Sequence, residues 1–148
     1  MKSFSMLLAI FLTLSACETS LSVEDKETKK FVESLEGQWK IVSRTEDGNE
    51  SPKESIENRV ITFKGNKYIL RDGDDVIVEA DFTVDASKTP VWFDSTTTMG
   101  GMQRGVIQIK DDVLSICLAD ARPKEFTSKK GSDALLIVYK KKKDKESL

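Results

Sequence analysis

The stretch Val76-Ile77-Val78-Glu79-Ala80-Asp81-Phe82-Thr83-Val84 alternates in character with a period of two. Val76, Val78, Ala80, Phe82 and Val84 fall on one face, and Glu79, Asp81 and Thr83 on the other, which predicts a strand with one dry and one wet side. Weaker copies of the pattern lie at Trp39–Thr45, Arg59–Lys64, Lys67–Arg71, Thr89–Asp94, Gly105–Lys110, Val113–Leu118 and Ala134–Lys140, making eight strands. Most connections are short and built from turn residues: Gly65-Asn66, Asp72-Gly73-Asp74-Asp75 and Asp111-Asp112. Consecutive hairpins make antiparallel neighbours, because a parallel crossover needs a dozen or more residues. Eight strands with one apolar face each close into an up-and-down barrel, which removes both exposed edges. Two longer connections, 47–56 and 119–133, interrupt the pattern.

Ahead of the first strand the chain reads differently. Met1-Lys2-Ser3 is basic, Met6–Leu14 is apolar, and Leu14-Ser15-Ala16-Cys17 follows. The apolar run is too short for the roughly 30 Å hydrocarbon core of a bilayer, so a secretory signal over residues 1–16 is expected rather than a spanning helix. The last four residues resemble the lipobox of bacterial lipoproteins at every position. The resemblance implies that Cys17 becomes the acylated N-terminus, leaving the protein lipid-anchored to the inner or outer membrane of the cell envelope, facing the periplasm or the exterior. Residues 17–36 read as a spacer with a short helix capped by Ser22, with Phe31 and Leu35 as its docking residues. The Lys-rich tail, 141–148, reads as a solvated end or as a contact for an anionic leaflet.

The barrel segments also resemble a known family. Leu35-Glu36-Gly37-Gln38-Trp39-Lys40-Ile41-Val42-Ser43, Val60–Tyr68, Leu114–Leu118, Arg122–Ser128 and Gly131-Ser132, in that order, resemble a lipocalin-like domain of planctomycete-type bacterial proteins whose function is largely unknown. The likeness spans about 35–140 and implies a lipocalin-like barrel over 37–140. It further implies that Trp39 closes one barrel end against a basic residue near the last strand, Lys140 or Lys141, in place of the usual arginine.

The composition narrows the chemistry. With no histidine among 148 residues, Ser-His-Asp and Cys-His nucleophile systems are excluded, and most zinc sites with them. Two cysteines, Cys17 and Cys117, cannot build a disulfide framework, and Cys117 lies in an apolar run as a buried, inert thiol. A formal charge of −2 argues against nucleic acid as a partner. Asp72, Asp74 and Asp75 flank a hairpin glycine and read as solvated turn residues or as a weak calcium site without the EF-hand spacing. No cofactor motif is present: Gly100-Gly101 lacks the Lys-Ser/Thr of a phosphate loop.

What remains points to binding rather than catalysis. Trp39, Tyr68, Phe82, Trp92 and Phe93 are the candidates to line a cavity, and Met99 and Met102 to gate its mouth for a small apolar ligand. An eight-stranded barrel is also small enough to be filled by its own side chains. The expected function is therefore a non-catalytic, lipid-anchored binding module. The alternative is a filled barrel acting on an envelope protein through its loops, as a structural, interaction or inhibitor protein.

Overall fold

The computed structural model describes residues 22–143. The signal peptide, the lipobox with Cys17 and the end of the Lys-rich tail lie outside these residues. Within them the chain forms one helix, α1 (Val23–Leu35), and strands β1 (Gly37–Glu46), β2 (Asn49–Glu50), β3 (Arg59–Lys64), β4 (Lys67–Asp72), β5 (Asp75–Asp85), β6 (Val91–Thr97), β7 (Met102–Lys110), β8 (Val113–Ala119) and β9 (Leu135–Lys141). Every pairing is antiparallel, and β9 returns to pair with β1. The fold is thus an all-β, lipocalin-like barrel of eight strands. The ninth, β2, is a two-residue extension folded back on the end of β1 (Thr45 opposite Glu50) inside the connection read from sequence as a loop.

The hairpins form where the turn residues stand. Gly65 takes φ +59° between β3 and β4, and Asp111 and Asp112 take φ +51° and +60° between β7 and β8. Left-handed backbone costs glycine nothing and Asn or Asp little.

One end of the barrel is closed. Ser22 caps α1 reciprocally with Asp25: the Asp25 amide donates to Ser22 Oγ at 3.2 Å, and the Ser22 amide to Asp25 Oδ2 at 3.3 Å. Leu35, the last residue of this helix, is fully buried, and Phe31 and Val32 pack beside it against the core. The Ala86 amide donates to Thr28 Oγ1 at 3.1 Å, fastening the helix to the end of β5. Trp39 plugs the same end. Its indole Nε1 donates to the Leu35 carbonyl at 2.8 Å, and Lys141 Nζ sits 4.4 Å from its ring centroid while donating to the Glu36 carbonyl. Of the two lysines named from sequence, Lys141 is the partner.

Above this plug Phe63, Phe82 and Phe93 fill the lower barrel, with Phe63 edge-on to Phe82 at 5.4 Å and Phe82 stacked on Phe93 at 5.5 Å. Outside the barrel, the segment between β8 and β9 lies over β7 and β8. It covers Val106 and Cys117 with Phe126 and Ala134, so β8 is buried on both faces. Arg122 anchors this cover. Its Nη1 donates to the Gly105 carbonyl at 2.7 Å, its Nη2 to Asp94 Oδ2 at 2.8 Å, and its guanidinium lies 4.4 Å from the Trp92 ring centroid.

Candidate functional site: an open cup in the barrel

The aromatic layer fills only the lower barrel. Over it lies a cup of about 230 Å³ at the end opposite α1. Its apolar wall is built by Ile41, Ile61, Leu70, Val78, Phe93, Ile116, Leu118, Leu135 and Ile137, and polar groups enter from Tyr68, Tyr139, Thr97, Gln103, Arg44 and Arg59. The volume falls below the roughly 300–1,000 Å³ typical of ligand pockets, so the occupant that fits is small.

Two of the residues expected to line a cavity do so: Tyr68 and Phe93. Tyr68 Oη donates to Ser95 Oγ at 3.3 Å across the barrel interior. Trp39 and Phe82 are buried below the cup, as end plug and packing layer. Trp92 is corrected to the outer face. It neighbours Phe93 on one strand, and successive side chains point to opposite faces, so only one of the pair can face inward. Its ring instead carries Arg122 and, at 5.3 Å, Lys88. Met99 stands on the β6–β7 connection at the cup end and Met102 is the first residue of β7, but both face outward, Met99 being 96% exposed. The segment reaches the cup through Thr97 and Gln103, not through its methionines.

Sequence reasoning missed the two arginines. In β1 the register with β9 slips: Ile41 stands opposite Tyr139, Ser43 opposite Val138 and Arg44 opposite Ile137. Val42 is the extra residue of a β-bulge, and the inward set changes from Trp39 and Ile41 to Arg44. A second bulge between Leu70 and Arg71 of β4 makes Ile77 the extra residue on β5. It turns Val76 outward, 50% exposed, against the alternation read from sequence, and brings Ile77 to the cup.

Arg44 Nη2 donates to Glu46 Oε2 at 2.7 Å, and Arg59 Nε to Asp72 Oδ2 at 3.3 Å. Among the described residues there is no cluster of three or more His, Cys, Asp or Glu side chains able to hold a metal ion, the Asp72–Asp75 turn included. No helix among them is long and apolar enough to cross a membrane.

Three buried groups are shifted upward by burial. Desolvation holds the Tyr139 hydroxyl neutral well above the ordinary tyrosine range, opposed by the nearby Arg59 and Arg44 charges. Tyr68 is raised by the same cause, partly offset by its Ser95 bond, and Cys117 is raised by burial against its weak contact to the Thr127 carbonyl. The native state then keeps these protons at pH values where the unfolded chain releases them. Their contribution is complete below the ordinary thiol pKa of about 8.5 and is lost as pH rises past it and then past about 10. The urea midpoint is expected to fall steadily between about pH 8 and about pH 11, with Cys117→Ala flattening the first part of the fall. A midpoint constant across that range would contradict the burial of these groups.

No family model, curated protein or solved structure matches this chain. Its class is given by its own geometry: a closed, lipocalin-like β-barrel, plugged at one end and cupped at the other.

Proposed function

We propose that the protein is a non-catalytic binding module of the bacterial envelope, tethered by lipid on Cys17, that holds a small ligand with an apolar body in the barrel cup. The observation that carries this reading is the cup itself. A barrel closed by Trp39 and α1 at one end opens at the other over a wall of Ile, Leu, Val and Phe side chains. The polar groups lining it are Arg, Tyr, Thr and Gln, and the chain has no histidine to serve as their base. The anchor rests on the Leu14-Ser15-Ala16-Cys17 lipobox. At about 0.8 kcal/mol per buried CH₂, a chain of about six methylenes gains about 5 kcal/mol, a dissociation constant in the high-micromolar range before any polar contact.

Native mass spectrometry of the mature protein, extracted gently from its own envelope, tests both parts. The expected spectrum carries diacylglycerol mass on Cys17 and a small adduct that is lost on unfolding. A protein with the lipid and no adduct would move the function to the surface. The exposed Val76, Ile77, Met99 and Met102 at the cup end would then be the face for an envelope protein. An unmodified Cys17 would remove the anchor.

A further inference from the structure

We infer that the cup selects a small amphiphile carrying a carboxylate, with Arg44, Arg59 and Tyr139 receiving its head and the wall opposite them receiving its chain. This deepens the binding-module reading and rests on it. β9, β1 and β3 are consecutive strands of the closed barrel, and each turns one of these three side chains into the cup. The far side, from β5, β6 and β7, presents Val78 and Phe93 together with Thr97 and Gln103. Both arginines therefore stand on one side of the cup, and no charged group lines the far side.

The existing partners of the arginines do not exhaust them. A guanidinium has five N–H donors in a planar fork that matches a carboxylate. Arg59 spends only Nε on Asp72, and its Nη1 and Nη2 have no hydrogen-bond partner among the described residues. Both ion pairs leave the carboxylate nearer to water than the arginine. The side chains of Arg44 and Arg59 are each 26% exposed, against 58% for Glu46 and 38% for Asp72. Such pairs are screened and weak, so they orient the guanidinium groups without neutralising them for a ligand held deeper in the cup.

Tyr139 supplies an independent sign. It is 1% exposed and lines the cup, yet its hydroxyl makes no hydrogen bond to any described residue, unlike Tyr68 with Ser95. The hydroxyl is open to the cup, and a carboxylate oxygen there would accept its hydrogen bond.

Calorimetric titration of the full chain with octanoate and with the neutral octanol tests the inference. Octanoate is expected to bind at least about tenfold more tightly, the worth of a hydrogen bond to a charged group. The double variant R44Q/R59Q is expected to erase that preference, binding octanoate no more tightly than octanol. Tyr139→Phe should lower octanoate affinity about fivefold and leave the urea midpoint in place, because the hydroxyl lost has no partner in the protein. Equal binding of octanoate and octanol by the parent would overturn the carboxylate assignment and leave the cup as an apolar site. A preference that survives R44Q/R59Q would overturn the role of the arginines. Binding of neither compound would overturn the cup as a ligand site, and this inference with it. The octanol titration of the double variant reports whether its cup is intact.

Discussion

Replacing Trp39 with alanine is expected to cost about 3–5 kcal/mol of folding stability, a large part of the roughly 5–15 kcal/mol that holds a domain together. Several interactions end at this one side chain. Its ring is 1% exposed, its indole N–H donates to the Leu35 carbonyl at 2.8 Å, and Lys141 covers its face at 4.4 Å. Truncation would empty the closed end, strand the helix terminus without its donor, and leave Lys141 over a void. Circular dichroism in urea is the fitting measurement, since fluorescence would follow only the outer Trp92. Trp39→Phe separates the causes by keeping most of the ring while deleting the hydrogen bond, at about 1–2 kcal/mol. Lys141→Met removes the cation over the ring together with its hydrogen bond to the Glu36 carbonyl, about 1–2 kcal/mol at this half-open site. A Trp39→Ala protein within about 1 kcal/mol of the parent would show that α1 and the phenylalanine layer close the barrel without it.

The residues that announced the barrel in sequence are those whose role is local. Gly65-Asn66, Asp72–Asp75 and Asp111-Asp112 mark three hairpins, and the bounds of β3, Arg59–Lys64, agree to the residue because turn chemistry at Gly65 leaves little choice. Alternation in β5 correctly placed Ala80 and Phe82 in the core. It failed at Val76 because period-two counting assumes an unbroken pleat, and the bulge at Ile77 breaks it. The same failure hid Arg44. Counting in twos from Trp39 puts Ser43 inside and Arg44 outside, whereas the bulge at Val42 reverses them. A bulge of this kind is set by how β1 must coil to meet both β3 and β9, a non-local demand that no short window of sequence carries. The aromatic residues were legible as apolar bulk but not by height in the barrel. Tyr68 and Phe93 reach the cup, while Phe82 and Trp39 lie beneath it.

A last expected result concerns a residue with no side chain. Gly105→Ala should destabilise the barrel by about 2 kcal/mol or more, although alanine ordinarily improves on glycine within a strand by up to about 1 kcal/mol. The opposing term is steric. A Cβ on Gly105 would stand 2.5 Å from the Cys117 carbonyl oxygen and 2.7 Å from Leu118 Cδ2. Leu118 can rotate away, but the carbonyl belongs to β8 and moves only with the strand. Its displacement would carry a second cost, because the Gly105 carbonyl accepts from Arg122, which also holds Asp94 and lies on Trp92. Hydrogen exchange in the variant should therefore loosen the cover over Val106 and Cys117 before it reaches the closed end. Gly101→Ala is the matched control. Its Cβ would meet only the Thr97 hydroxyl, at 3.3 Å, so its stability should stay within about 0.5 kcal/mol of the parent. If Gly105→Ala proved as stable as the parent, the close approach of β7 and β8 would have to relax without moving Arg122, and the Cys117 carbonyl would not be the obstacle argued for.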